Sequence, residues 1–196
     1  MPRLLIRDLA QVASPAGRIA PLRGSALADL DWIDDAFILC DGAKIEAVGR
    51  MRTLGALDGE VEEIHARGLS AIPGLVDCHT HPAFGGDRVD EFSLRAAGAS
   101  YEELHDAGGG ILSTVEATRA AGEEGLTRAV ARHRDWMLRA GTTTFEGKSG
   151  YGLDRETELA SLRAIAAAGG IPTWLGAHAV TPGRTISSDA SIPSIK

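Results

Sequence analysis

Three short runs with strand character, separated by helical patterns and each leading into reactive side chains, constrain this chain most. The first is Leu75-Val76-Asp77-Cys78 entering His79 and His81; the second is Thr142-Thr143-Thr144-Phe145-Glu146; the third is Ile171-Pro172-Thr173-Trp174-Leu175, followed by Gly176-Ala177-His178. Between the first two lie short helical pieces around residues 91–97 and 101–106, then a break at Gly108-Gly109-Gly110. Ser113 with Glu116 three residues on predicts a helix start, and Leu126, Ala129, Val130, His133 and Met137 recur at helical spacing until Gly141. Before the third run, Asp154 is a good N-cap for a helix with Leu159, Leu162, Ile165 and Ala166 on one face and Gly169-Gly170 as its stop. Strand, helix, strand, helix, strand predicts parallel strands joined by helical crossovers. Ligands of such folds collect at the carboxyl ends of the strands.

That rim carries the candidate chemistry. Side chains at i and i+2 of a strand share a face, so His79 and His81 can reach one point, as half of a catalytic metal site would require. The bland alternative is a pair of hydrogen-bonded, half-buried imidazoles. Asp77 is expected on the same face, either orienting a ligand imidazole or acting as a turn residue; Cys78 is expected to pack on the other face. Arg88, in the loop Phe84-Gly85-Gly86-Asp87-Arg88, suits a carboxylate through a bidentate pair, or else is simply solvated. Tyr151 stands between two glycines that free the backbone to present its hydroxyl, and His178 follows a small Gly-Ala pair. Glu146 and Lys148 either take part in the chemistry or support their loop. His65, His105 and His133 lie within strand or helix patterns and read as structural, and the triple glycine reads as a flexible loop rather than an anion site.

Ahead of this region, strands are expected at residues 4–7, 36–40, 44–49 and 61–66, with a hairpin at Asp41-Gly42 and loop over residues 13–35. They predict a small antiparallel β module over residues 1–68, with the βα units over 69–182. Residues 183–196 carry two serine clusters and no periodic apolar face, and read as a disordered tail. A formal charge of -7 argues against a nucleic-acid surface. No apolar run approaches the ~18 residues of a membrane span, and two cysteines in unrelated contexts suit a reducing cytoplasm.

The stretch Ile72-Pro73-Gly74-Leu75-Val76-Asp77-Cys78-His79-Thr80-His81 resembles the opening metal motif of the amidohydrolase superfamily. With residues 84–88, Gly108-Gly109-Gly110-Ile111, Lys148-Ser149-Gly150-Tyr151-Gly152-Leu153 and Gly176-Ala177-His178-Ala179, it resembles the imidazolonepropionase family over residues 1–182. The resemblance implies an α/β fold: an incomplete metal-dependent hydrolase (β/α)8 TIM barrel, represented by its first three strands, preceded by a small antiparallel β-sandwich module. It implies one divalent ion, Zn or Fe, held by His79 and His81, and a small-molecule substrate, imidazolone propionate, contacted by Arg88, Tyr151 and His178. It allows a homodimer of the full-length enzyme and offers no nucleic-acid or membrane partner. The remaining metal ligands and the catalytic residues of the family lie on later strands, so no catalytic residue is assigned here. The expectation is therefore a truncated chain, inactive alone. Two alternatives stand beside it: another amidohydrolase, such as a ring deaminase or cyclic-amide hydrolase, and a non-catalytic remnant.

Overall fold

The computed structural model describes residues 3–15, 17, 19, 21–100, 103, 109–176, 178 and 179. The helical piece expected around 101–106, His105, Gly108, Ala177 and the tail 183–196 lie outside the described residues, apart from Glu103. The chain divides into two compact units between Pro73 and Gly74.

The first unit is one five-stranded sheet. Strand β1 (Arg3–Ser14) pairs antiparallel with β2 (Asp31–Asp41), and β2 with β3 (Lys44–Arg50). Strands β4 (Val61–His65) and β5 (Ser70–Ala71) both add to β1 in parallel. The antiparallel sandwich expected from the sequence is thus corrected to a single mixed sheet: the segment after β3 crosses back before β4 begins, so β4 runs in the direction of β1. The domain boundary expected at residue 68 moves later, because β5 belongs to this sheet. Residues 31–35 are strand rather than loop, since Asp31, Trp32, Ile33 and Asp34 continue the ladder to Ser14, Ala13, Val12 and Gln11.

Period-2 alternation gives this sheet two apolar faces. Leu5, Phe37 and Leu39 are buried with Met51, Leu54, Leu57 and Val61 on one side. Leu9, Val12, Ala36 and Ala66 are buried with Ile33, Ile38 and Val48 on the other. Ile45 and Val48 fail to alternate because the β2–β3 register shifts at Leu39/Cys40. A second shift, between Ile6 and Leu9, coincides with Asp8 at φ 60°. The Asp8 carboxylate meets His65 Nδ1 at 2.9 Å, and this contact holds the Asp8 pKa below its ordinary value. His65 is structural, as its strand position suggested.

The second unit is the predicted alternation. Strands β6 (Leu75–Thr80), β7 (Thr142–Lys148) and β8 (Ile171–Thr173) form a parallel sheet in that order. Helices α1 (Val89–Ala96) and α2 (Ile111–Arg139) lie between β6 and β7 in the chain, and α3 (Arg155–Ala167) lies between β7 and β8. Phe145 and Gly147 of β7 pack toward α3, where a Cβ on Gly147 would stand 2.8 Å from Ile165 Cγ2. Ala83, Leu126, Val130, Phe145, Ala160, Ala164 and Ile165 form the core. The Asp154 cap is present: Oδ1 accepts the Thr157 N–H at 2.8 Å.

Three expectations about helix and strand ends are corrected. The capping box at Ser113 does not form; Ser113 Oγ donates to the Gly110 carbonyl, and Glu91 from α1 accepts the Gly110 N–H at 2.7 Å, so the start of α2 is capped from outside. The two helical patterns run together as α2, broken only at Gly122 (φ 59°, ψ 179°). Strand β8 ends at Thr173 rather than Leu175, because its partner β7 ends at Lys148, level with Thr173.

Among the described residues, strands β6 and β8 are the two edges of this sheet. Leu75, Val76 and Cys78 are exposed, which corrects the expectation that Cys78 packs inward. Phe92, Trp136 and Leu138 are also exposed. No described helix is long and apolar enough to cross a membrane. Ile165 is fully buried at the centre of the core, so Ile165→Ala is expected to lower unfolding free energy by about 2–5 kcal/mol, read from the urea midpoint.

Candidate metal and ligand site

The site begins with a register irregularity. Asp77 is level with Phe145 and Thr80 with Gly147, so β6 spends three residue steps where β7 spends two. The extra residue breaks the alternation expected between Asp77 and the histidines. Asp77 is level with the helix-facing Phe145, and its Oδ1 accepts the backbone N–H of His79 at 3.1 Å. It is a local turn residue and not an imidazole partner. Beyond the bulge, Thr80 Oγ1 donates to the Glu146 carbonyl at 2.6 Å, fixing the height of His79 and His81 on the rim.

His79 and His81 lie with ring centroids 5.8 Å apart. His81 stacks on His178 at 4.8 Å and meets Tyr151 at 5.5 Å; Tyr151 and His178 meet edge-on at 5.2 Å. The three strand ends therefore deliver His79, His81, Tyr151 and His178 to one cluster. Burial lowers the His81 pKa, helped by the neighbouring His178 and His79 rings and by Lys148, and opposed by the Ser149 backbone. The shift favours the neutral imidazole, the form a metal ligand must take. His81 Nδ1 is buried without a hydrogen-bond partner, which suits a ligand-seeking ring. His178 Nδ1 donates to the Gly150 carbonyl at 3.1 Å, leaving Nε2 as the acceptor of the neutral ring. The donor set fits part of a divalent-ion site: two imidazoles are in place, and among the described residues no third donor joins them.

Beside the cluster is a pocket of ≈ 350 Å³ lined by Phe84, Gly85, Gly86, Asp87, Arg88, Thr114 and Tyr151. Arg88 and Tyr151 thus share one cavity. Arg88 Nε donates to Thr114 Oγ1 at 2.9 Å, and the Gly85 N–H donates to Thr118 Oγ1 at 3.0 Å. Gly85 is obligatory: a Cβ there would stand 2.3 Å from the Ala117 carbonyl oxygen of α2. Sequence reasoning missed Thr114, Thr118 and the pocket role of Phe84. The available signal was Thr114 and Thr118 at i and i+4, polar residues one helical turn apart and both buried. His133, read as structural, donates Nδ1–H to the Pro82 carbonyl at 2.7 Å and stacks on Phe84.

Lys148 donates to Glu146 Oε1, while Glu146 Oε2 is buried without a hydrogen-bond partner. Burial works to raise the Glu146 pKa, but hydrogen bonding from Lys148 and Thr173, the Lys148 charge and the Thr80 backbone together outweigh it and hold the carboxyl below its ordinary value.

No family model matches the chain. Among solved structures it is similar to a triazine hydrolase from Arthobacter aurescens (22% identity, TM-score 0.58, 89% of this chain and 36% of that one). It is also similar to an atrazine chlorohydrolase from Arthrobacter aurescens in complex with zinc (23% identity, TM-score 0.56, 87% and 35%). At these identities the likeness concerns the fold alone. The curated relatives narrow this further. The imidazolonepropionase of Rubrobacter xylanophilus is 54% identical over 195 residues, covering 91% of this chain and 45% of the relative. That of Chloroflexus aggregans is 44% identical over 192 residues, covering 95% and 45%. Over the residues it spans, the chain is similar to imidazolonepropionases. It spans less than half the length of these relatives.

The Glu146–Lys148 pair gives a pH-dependent test. A depressed carboxylate contributes stability that is full above its unfolded pKa, near ~4.3, and is lost as pH falls through the folded value. Lys148→Met strands a half-buried carboxylate and is expected to cost about 1–3 kcal/mol at pH 7 and much less near pH 3, by urea denaturation at both pH values.

Proposed function

We propose that this chain carries part of the site of a metal-dependent hydrolase that opens 4-imidazolone-5-propanoate to N-formimidoyl-L-glutamate, a step of histidine degradation. The observation that carries the reading is the convergence of Arg88 and Tyr151 on one pocket, joined through Tyr151 to the histidine cluster. The 54% identity to the Rubrobacter imidazolonepropionase supports the substrate class. The parallel order β6, β7, β8 supports reading the second unit as the first three strands of a (β/α)8 barrel.

In this reading His79 and His81 hold one divalent ion, zinc or iron. When bound, such an ion supplies Lewis-acid polarisation of a carbonyl and an activated water nucleophile. Arg88 keeps its Nε on Thr114 and turns the rest of its guanidinium to the propionate, a planar fork against a planar carboxylate. Tyr151, wedged between Phe84 and His178, borders the pocket and offers its hydroxyl to the ring. His178 has its Nδ1–H committed to Gly150, so Nε2 is free to accept a proton or hydrogen bond from the ligand. Phe84 and Tyr151 give the ring an aromatic wall that excludes water. The two-imidazole donor set and the open edge at β6 support a half-site, one that needs further polypeptide for turnover.

The test is complementation. The purified chain is expected to hold less than one tightly bound zinc ion and to leave imidazolone propionate unhydrolysed. Mixed with the remaining, carboxyl-terminal part of the Rubrobacter relative, it is expected to form a complex that binds zinc and hydrolyses the substrate, and His79→Ala or His81→Ala in the chain should abolish both. Hydrolysis by the chain unaided would reject the half-site; a zinc-loaded complex that hydrolyses other cyclic amides but not this one would reject the substrate.

A further inference from the structure

Glu158 is a fully buried acid with no role in the chemistry above. It stands in the first turn of α3, on the face that carries Leu162 and Ile165, and is 1% exposed. Its Oε1 accepts two backbone N–H groups, Gly152 at 2.7 Å and Leu153 at 2.8 Å, and its Oε2 is buried with no hydrogen-bond partner. A buried carboxylate with one idle oxygen is costly compared with an apolar residue of the same size. Something in the loop it holds must justify it.

That loop, residues 149–153, is fixed along its length. Ser149 is fully buried, donating N–H to the Thr173 carbonyl at 3.0 Å and accepting the Leu175 N–H at 3.0 Å. Gly150 has φ +120° and accepts from His178. Arg119 of α2 donates Nε to the Gly152 carbonyl at 2.7 Å and meets Asp154 at 3.0 Å. Gly152 has no room for a Cβ, which would lie 2.7 Å from Thr157 Cβ, and Leu153 is held at φ 53°. Strain and close contact of this kind persist only where the surroundings over-determine them. Tyr151 is the only loop residue that lines the pocket.

We propose that Glu158, with Arg119, is a positioning residue for Tyr151: the carboxylate and the guanidinium grip both sides of the Gly152 peptide and so set where the tyrosine ring stands against His178, His81 and the pocket. The substrate role of Tyr151 rests on the function proposed above; the clamp itself does not.

The test is a double-mutant cycle on the full chain, read in two ways. The first needs no ligand: the imidazole NMR resonances of His178 and His81 sense the Tyr151 ring. Glu158→Leu and Arg119→Met are expected to move them in the direction that Tyr151→Ala does, while Glu158→Gln, which keeps an accepting oxygen, leaves them near wild type. In the Tyr151→Ala background, Glu158→Leu and Arg119→Met should add little. The second readout is affinity for 3-(imidazol-4-yl)propanoate, expected to fall at least tenfold in Glu158→Leu but no further when Tyr151 is already alanine. Resonances unmoved by Glu158→Leu and Arg119→Met, or effects of equal size with and without the tyrosine ring, would overturn the clamp. If Glu158→Leu does not fold, Arg119→Met, altered at a half-exposed position, decides the question alone. If the wild-type chain does not bind the imidazole propanoate, the substrate reading fails and the resonance arm still judges the clamp.

Discussion

The pairing of Thr80 with Gly147 is the contact on which the rest of the site depends. It follows an extra residue in β6 and is reinforced by the Thr80 hydroxyl on the Glu146 carbonyl. Together these turn His79 and His81 onto the rim alongside Glu146 and Lys148, although Asp77, two residues earlier, is level with a helix-facing phenylalanine. A regular parallel ladder would have kept Asp77 in phase with the histidines. Gly147 in turn sits against Ile165 with no room for a side chain, so the height of the rim is tied directly to the core.

From that rim outward, the site is held by hydroxyls and backbone groups more than by ion pairs. Thr114 and Thr118 of α2 take Arg88 and Gly85; Ser149 ties the end of β7 to the segment after β8; His133 takes the Pro82 carbonyl. Apart from the one donated by the charged Arg88 guanidinium, these are neutral hydrogen bonds, each contributing modestly but directional and little affected by salt. The electrostatics act in the same sense. Burial, aided by the neighbouring rings and Lys148, lowers the His81 pKa and favours its neutral form, while the Lys148 and Thr173 hydrogen bonds favour ionised Glu146.

Much of this was legible in the sequence, and the failures have physical causes. The alternation of the second unit, the Asp154 cap and the meeting of the strand-end residues were readable because they follow from local periodicity and from the geometry of parallel strands. What escaped was non-local. The parallel placement of β4 and β5 depends on where a crossover lands, which no short window encodes. The Asp77 phase depends on a single inserted residue, and Ser113 lost its cap to Glu91, which lies nineteen residues before Gly110 but adjacent to it in space. Glu158 was readable and was missed: it falls at i−4 to Leu162 and i−7 to Ile165, in phase with the buried stripe of α3. A charged residue in phase with a core stripe is a signal in its own right.

The break at Gly122 divides α2 into halves with different attachments. The half before it carries Thr114, Thr118 and Arg119, joined to the ligand loops by hydrogen bonds; the half after it carries Leu126 and Val130, joined to the sheet by packing. A helix continuous through residue 122 would transmit every adjustment of the core as a rotation of its pocket end. A glycine at positive φ between them interrupts the helix. Core substitutions at Leu126 and Val130 are therefore expected to disturb the pocket end less than they would through an unbroken helix.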